Sequence, residues 1–324
     1  MDYLITATLG PASLSETVWS EMLLIGVDAF RLNTSHLSVE EVLSWVDRLN
    51  RFYLSGEKKV PVILDLQGSK WRLGEFASRE LTDGETISLD FSRSPDNENS
   101  LPVPHMDFFK AADLSGDQII LNDAKIVLSV IERSEKNIKA KVLKGGIISS
   151  KKGITYNSSG FRKEHLSEKD LDIVRQFRHY DFIRYAISYI KDAEEMALYR
   201  SQIGKDAYLI AKLERGSATN GVIEIARYSD ELWVCRGDLG AELGLKEMAV
   251  AVDKISEKLP LINLPVIMAG QVLEHMTQQS TPTRSEICYI YDSLKKGYKG
   301  FVLSDECAIG INPLESCRTC AMFR

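Results

Sequence analysis

The sequence predicts an α/β protein: a (β/α)₈ barrel of the TIM type with a small all-β domain inserted after its third strand. Three observations predict it. Eight short apolar runs recur along the chain, each closed by a polar cluster. Stretches with helical spacing of apolar residues lie between them. The third and fourth runs start about 120 residues apart, whereas a single βα unit takes about 25–35.

The runs are Leu4–Thr8, Ala29–Leu32, Val60–Leu64, Phe182–Ile187, Tyr208–Leu213, Leu232–Cys235, Pro265–Ala269 and Gly300–Leu303. Most are rich in Val, Ile and Leu without strict alternation, the pattern of parallel strands buried on both faces. Between them, Thr17–Leu24, Val39–Tyr53, Lys169–Phe177 and Ser285–Lys296 repeat apolar residues at helical intervals. Ser38-Val-Glu-Glu41 is a capping box that starts the second of these. Strand alternating with helix gives a parallel sheet, and eight such units close a barrel.

The long interval has a different texture. Glu85–Phe91 alternates apolar and polar residues, and Gln118–Leu121, Lys125–Ile131 and Ile138–Leu143 follow. The turn Ser134-Glu-Lys-Asn137 joins the last two as a hairpin. Arg93–Ser100 reads as an exposed loop. Residues 1–73 and 153–324 are therefore assigned to the barrel, and 74–152 to the inserted β-rich domain.

Composition narrows the class. The chain has 324 residues, 44 % apolar and 27 % charged, which excludes disordered and collagen-like proteins. No apolar run approaches the ~18 residues of a membrane span. A net charge of −6 speaks against nucleic acid as a partner. The N-terminus, MDYLITATLGPAS, lacks the basic and apolar segments of a secretory signal. The five cysteines, Cys235, Cys288, Cys307, Cys317 and Cys320, form no disulfide framework. Cys317 and Cys320 lack the second pair that a zinc site needs. A cytoplasmic location with free thiols is expected.

In a (β/α)₈ barrel the chemistry lies at the C-terminal ends of the strands, so the polar clusters there are the candidates. In order they are Arg31-Leu-Asn33-Thr-Ser35-His36, Asp65-Leu-Gln67-Gly-Ser69-Lys70-Trp-Arg72, Ser188-Tyr189, Lys212-Leu-Glu214, Arg236-Gly-Asp238-Leu-Gly240, Ala269-Gly270-Gln271 and Ser304-Asp305-Glu306. Arg31, Arg72, Lys212 and Arg236 form a cationic set suited to phosphate or carboxylate. Glu214 and Asp238 follow adjacent strands and offer the carboxylate oxygens that Mg²⁺ or Mn²⁺ takes. The Arg-Gly-Asp-Leu-Gly turn presents backbone N–H groups to an anion. Such equipment serves phosphoryl transfer; stabilising the enolate of a 2-oxo acid uses much the same parts. His105, His165, His179 and His275 show no ligand spacing.

These clusters resemble those of the pyruvate kinase family. The matching stretches are ATLGPAS (7–13), RLNTSH (31–36), DLQGSKWRLG (65–74), GGIISSKKGI (145–154), LSEKD (166–170), IAKLE (210–214), RGDLGAEL (236–243), PTRSE (282–286) and LSDECA (303–308). The resemblance implies conversion of phosphoenolpyruvate and ADP to pyruvate and ATP with Mg²⁺ or Mn²⁺, and identifies the inserted region with the family's lid domain. It implies that Lys212 stabilises the transferring phosphoryl group and the enolate oxygen, that Arg31 contacts the phosphoryl group, and that Arg72 bridges toward the nucleotide phosphates. The resemblance likewise implies that Glu214 and Asp238 hold the metal. Backbone amides of Arg236, Gly237 and Asp238 hold the substrate carboxylate, near Ser188 and Gly270. Pro11, His36 and Lys152 reach the nucleotide. Asn33, Ser35 and Asp65 match the monovalent-cation site. Leu66 and Lys70 resemble the potassium-independent type, in which the Lys70 ammonium takes the place of K⁺.

The sequence also departs from the family. Gly270 stands where the family has Thr or Ser, so the hydroxyl beside the enolate methylene is missing. Cys235 replaces Ala, Ser69 replaces Pro, and Leu37 and Asp305 replace Gly. The family's C-terminal domain is not in the chain, so control by effectors through it is expected to be absent. Whether barrel helices pair in a homo-oligomer is an open expectation. Gly270 motivates an alternative: metal-assisted enolate chemistry, or phosphotransfer, on a different 2-oxo acid or enol phosphate. A non-catalytic binding paralogue is the other alternative; the intact Lys212, Glu214 and Asp238 weigh against it.

Overall fold

The computed structural model describes residues 1–68, 71–95, 97, 99–111, 118–122, 125–156 and 166–324. The chain forms two compact units. One comprises Met1–Gly68, Leu166–Arg236 and Ala249–Arg324; the other comprises Ser69–His165 and Gly237–Met248. The second unit thus takes in residues beyond the 74–152 read from sequence, including a stretch after the sixth barrel strand.

The first unit is a closed barrel of eight parallel strands: β1 (Leu4–Thr8), β2 (Ala29–Asn33), β3 (Val62–Leu66), β4 (Ile183–Ile187), β5 (Leu209–Leu213), β6 (Glu231–Cys235), β7 (Val266–Ala269) and β8 (Gly300–Leu303). Each strand pairs in parallel with its neighbours in chain order, and β8 closes on β1. All eight apolar runs are strands; two match end for end, and the other six have ends shifted by one or two residues. The starts at Val62 and Val266 have a common cause. Pro61 and Pro265 have no N–H to give the ladder, but their carbonyls accept from Phe30 and Leu232.

Side chains alternate across the barrel wall with period two. Leu209, Ala211 and Leu213 join the outer core that the helices cover, together with Phe30, Leu32, Val62, Leu64, Val234 and Met268. Their alternates, Ala29, Ile63, Ala186, Ile210, Trp233, Ile267 and Val302, fill the barrel interior. The next inward positions along the strands are Thr8, Arg31, Asp65, Ser188 and Lys212. The same alternation that packs the interior therefore collects the polar groups in one layer at the C-terminal ends.

The helices begin where capping chemistry places them. Ser38 N–H donates to Glu41 Oε2 (2.6 Å) and Glu41 N–H to Ser38 Oγ (3.2 Å) at the start of the helix Val39–Leu54. Ser167 and Asp170 cap the helix Glu168–Phe177 in the same way. Asp170 is fully buried and reaches further: it accepts from the N–H groups of Gln67 (3.1 Å) and Gly68 (3.2 Å) just past β3. Burial pushes its carboxyl up, against the opposing pull of these donors.

The second unit has its own core. A six-stranded sheet runs in the order Ile154–Tyr156, Gln118–Leu121, Ile126–Arg133, Asn137–Lys144, Thr86–Asp90 and Ser100–Pro102. A two-stranded sheet pairs Arg79–Leu81 with Gly146–Ile148. The unit also contains a short helix, Met106–Ala111, outside the sequence reading. Phe108 stacks on Tyr156 with ring centroids 4.6 Å apart, and Trp71 meets both rings edge-on.

All five cysteines are free thiols. Cys307 and Cys317 lie buried with their Sγ atoms 3.7 Å apart.

Gly68 shows how tightly the layer at the strand ends is packed. Its φ is +60°, and a Cβ there would lie 2.1 Å from the Ser188 carbonyl oxygen. Gly56 also has positive φ but faces open space. Left-handed backbone alone costs a non-glycine residue on the order of 1–3 kcal/mol. Urea denaturation should therefore show a larger loss for Gly68→Ala than for Gly56→Ala. Equal losses would mean that the close approach to Ser188 is absent.

Candidate active site

The site is built around Asp65, the inward residue near the end of β3, only 2 % exposed. Its Oδ2 accepts from Arg31 Nε at 2.8 Å and pairs with Nη2 at 2.6 Å. Its Oδ1 accepts from Lys212 Nζ at 3.1 Å and from Ser188 Oγ at 3.2 Å. Arg31 Nη1 donates to Thr8 Oγ1 at 2.9 Å. Lys212 Nζ also donates to Ser188 Oγ at 2.9 Å and pairs with Glu214 Oε1 at 2.9 Å. Glu214, 1 % exposed, accepts the Tyr189 N–H on Oε2 at 2.8 Å. Strands β1 to β5 thus contribute to one network in which two cations meet two carboxylates.

The electrostatics follow from burial and pairing. Burial alone would raise the Asp65 carboxyl, but Lys212 and Arg31 hold it below the usual carboxylate range. Burial likewise opposes the Lys212 charge, yet Asp65 and Glu214 raise its pKa above the ordinary lysine value. The two carboxylates thus favour the ammonium form of Lys212. Arg31 is raised too, chiefly by Asp65 against desolvation.

The backbone around Asp65 is fixed from several sides. Thr34 Oγ1 donates to the Asp65 carbonyl at 2.7 Å, and Lys169 Nζ donates to the Thr34 carbonyl at 2.5 Å. Thr34 lies in the turn Thr34–His36, where Asn33 Oδ1 accepts from Ser35 N–H at 3.3 Å. Asn33 and Ser35 are thereby brought together beside the Asp65 backbone. His36, at the end of this turn, is exposed, as is Pro11 at the start of the turn Pro11–Ser13. Lys70 lies outside the described residues.

Arg236, read as one of the cationic set, has its side chain engaged by backbone carbonyls. Its Nε and Nη2 donate to the Gly270 carbonyl at 3.1 and 2.7 Å, and Nη2 donates to the Gln271 carbonyl at 2.7 Å. Its guanidinium stacks 4.0 Å from the Tyr289 ring centroid. The side chain thus fastens the turn after β7, in which Gly270 and Gln271 have φ of +78° and +54°. After β8, Glu306 is fully buried and accepts the N–H groups of Leu273 (3.3 Å) and Ser304 (2.9 Å). Burial pushes its carboxyl up to about 7.

The remaining predicted residues lie in the second unit. Arg72 bridges antiparallel to Gly153. Its Nη1 donates to the Lys151 carbonyl at 2.9 Å, and Leu73 N–H donates to the Lys152 carbonyl at 2.9 Å. Arg72 and Lys152 therefore sit on paired segments of one unit. Gly237 and Asp238 lie in the first turn of the helix Arg236–Leu243, which begins directly after β6.

The donor set suits a hard divalent cation. Glu214 offers a buried carboxylate oxygen that already faces positive charge, the Lys212 ammonium. Among the described residues, no group of three or more His, Cys, Asp and Glu side chains forms a ready-made cage.

Sequence reasoning assigned no role to three contributors. Thr8 shares Arg31, Asp170 holds the backbone after β3, and Tyr189 holds Glu214. Asp170 had a usable signal, its place in the Ser167 capping box. The Tyr189 contact is a backbone one and leaves no signature in residue type.

The family described as "Pyruvate kinase, barrel domain" matches residues 2–317. Pyruvate kinases from Agrobacterium vitis and Aeropyrum pernix are each 32 % identical to the chain, over 315 and 316 residues, and one from Thermotoga maritima is 30 % identical over 317. Each alignment covers 96 % of this chain and between 65 % and 68 % of the relative. The chain thus spans about two thirds of the length of these relatives. It belongs to the pyruvate kinase family.

Removing Asp65 leaves two buried cations facing each other. Asp65→Asn should lower unfolding free energy at pH 7 by about 3–5 kcal/mol. Because the folded pKa is depressed, this stabilisation is full above the unfolded value of about 3.9 and is lost as pH falls through the lower folded value. Urea titrations should therefore show the gap between wild type and Asp65→Asn narrowing between pH 5 and strong acid. A gap independent of pH would mean that Asp65 is not the ionised partner.

Proposed function

We propose that this member of the pyruvate kinase family transfers the phosphoryl group of phosphoenolpyruvate to ADP, giving pyruvate and ATP, with Mg²⁺ or Mn²⁺. The observation that carries the reading is the Lys212 ammonium, fixed by Asp65, Ser188 and Glu214 at the C-terminal rim of the barrel.

In the transfer, the bond from phosphorus to the enol oxygen breaks as one forms to a terminal oxygen of ADP. Negative charge accumulates on the transferring group and on the enolate oxygen. Lys212 meets that charge without prior protonation, because its neighbours keep it ionised. Arg31 supplies a second cation, oriented by Thr8 and Asp65. Preorganised charge of this kind avoids the reorganisation that water would need. A divalent cation held by Glu214 and Asp238 would supply Lewis-acid neutralisation of substrate oxygens. The N–H groups of Arg236, Gly237 and Asp238 lie at the start of the helix Arg236–Leu243, and the resemblance assigns them to the substrate carboxylate, which the positive end of a helix favours. Ser188 positions Lys212. Arg72, Lys152, Pro11 and His36 are assigned to the nucleotide.

The enolate must then take a proton on its methylene carbon. Gly270 has no hydroxyl to assist, and its φ of +78° is one that a β-branched Thr rarely adopts. We assign this proton to solvent. The alternative of a larger 2-oxo acid or enol phosphate rests on the same glycine, which places no side chain beside the third carbon of the substrate. The resemblance at Leu66 and Lys70 supports independence from K⁺. A cytoplasmic location fits the free cysteines, and among the described residues no helix is long and apolar enough to cross a membrane.

A coupled assay should detect pyruvate and ATP from phosphoenolpyruvate and ADP. Lys212→Met should lower kcat by about 10²–10³-fold. Turnover of 3-substituted phosphoenolpyruvates faster than the parent compound would favour the alternative substrate. At fixed ionic strength the rate should stay flat from zero to saturating KCl; a many-fold rise would show that K⁺ is required.

A further inference from the structure

Among the described residues, four non-glycine residues have left-handed backbone: Asn122, Lys151, Tyr189 and Gln271. Lys151 and Gln271 are exposed and Asn122 is half-buried. Asparagine takes this conformation more readily than most residues. Tyr189, at φ +66°, is the buried member, 4 % exposed. An unfavourable backbone persists in an interior only where its surroundings over-determine it.

Those surroundings are visible. Tyr189 follows Ser188, whose Oγ donates to the Leu66 carbonyl at 2.8 Å and accepts from Lys212. The Ser188 carbonyl packs against Gly68, itself left-handed and without room for a Cβ. On the other side the Tyr189 ring lies under the Arg215 guanidinium, 5.1 Å from the ring centroid. Ile190, next in the chain, is fully buried. The turn is thus clamped before, at and after Tyr189, and its result is an N–H aimed at Glu214 Oε2 from 2.8 Å.

We propose that Tyr189 is a positioning residue for metal binding, acting through its left-handed backbone rather than its ring. The N–H engages Oε2 and so fixes the rotation of the Glu214 carboxylate. Oε1 is then presented to positive charge, as its 2.9 Å contact with Lys212 shows. Groups that orient a metal ligand commonly change metal affinity by about 10–100-fold when disturbed. The proposal rests on the reading that Glu214 holds the divalent cation.

The test separates backbone from ring. Tyr189→Gly, Tyr189→Asn and Tyr189→Val all remove the ring and its stacking on Arg215. Glycine and asparagine accept the left-handed conformation, whereas β-branched valine resists it. Mn²⁺ affinity of the full chain, without substrate, is read by electron paramagnetic resonance, and folding by thermal unfolding. Tyr189→Gly and Tyr189→Asn should bind Mn²⁺ within about threefold of wild type, and Tyr189→Val at least tenfold more weakly. Should Tyr189→Val not fold, Tyr189→Ala takes its place as the variant with a Cβ and no ring. Equal weakening in all variants would assign the effect to the ring and overturn the proposal. Undiminished binding by the valine variant would overturn it as well. Glu214→Gln is the control for the premise. If it binds Mn²⁺ like wild type, the metal assignment of Glu214 fails and this proposal fails with it. If it weakens binding while the valine variant does not, only the Tyr189 proposal fails.

Discussion

The structure of the site depends on one carboxylate shared between two cations. The barrel interior is apolar up to the layer of Arg31, Asp65 and Lys212. Charges at such depth are tolerated only when paired and hydrogen-bonded. Arg31 and Lys212 repel each other, and Asp65 removes that repulsion by giving one oxygen to each. Glu214 brings the balance to two positive and two negative charges. The arrangement stabilises the fold less than it selects it, since an apolar layer of the same shape would avoid the desolvation. What the charges secure is a fixed ammonium and a fixed guanidinium beside each other, which no apolar substitute supplies.

Fixing Asp65 in turn requires a rigid frame, and the frame comes from the turns after the two neighbouring strands and from the helix that leads into β4. Thr34 holds the Asp65 carbonyl, Ser188 holds its carboxylate and the Leu66 carbonyl, and Asp170 holds the N–H groups of Gln67 and Gly68. Lys169, beside Asp170 in the chain, holds Thr34. The loops after β2, β3 and β4 are thereby tied together by short polar contacts under little or no solvent. The LSEKD stretch, which carries Ser167, Lys169 and Asp170, is best understood as the anchor of this frame. Two of its members reach from a helix N-terminus to the strand ends they support.

The barrel was legible in the sequence because its strands are continuous apolar runs with polar ends, and that pattern survives any shift of register. The inserted unit was legible only in its longer strands. Arg79–Leu81, Ser100–Pro102, Gly146–Ile148 and Ile154–Tyr156 are three residues each, too short to show a period. The helix Met106–Ala111 spans fewer than two turns and shows none either. The composition of the site was legible and its wiring was not. The pairing of Asp65 with Arg31 is one example. It follows from β2 and β3 being adjacent, with Arg31 opposite Ile63 and Asn33 opposite Asp65, which a linear pattern does not reveal. The partners of Arg236 were not legible for a related reason: they are the carbonyls of Gly270 and Gln271, and backbone acceptors carry no mark in the sequence.

That last contact changes how Gly270 is understood. Taken alone, the glycine is a missing hydroxyl and a small empty space. In the structure it is also the residue that lets the chain leave β7 in a left-handed turn, and the turn directs two consecutive carbonyls at the Arg236 guanidinium. A threonine in that conformation would press its branched Cβ against its own backbone. Relief would require a different φ, and with it a different direction for the Gly270 carbonyl. The left-handed turn at Gly270 and its fastening by Arg236 are therefore parts of one arrangement. Arg236 immediately precedes the N–H groups of Gly237 and Asp238, so the same guanidinium ties the end of β7 to the start of the Arg-Gly-Asp helix. A change at position 270 therefore acts on the turn whose carbonyls Arg236 holds.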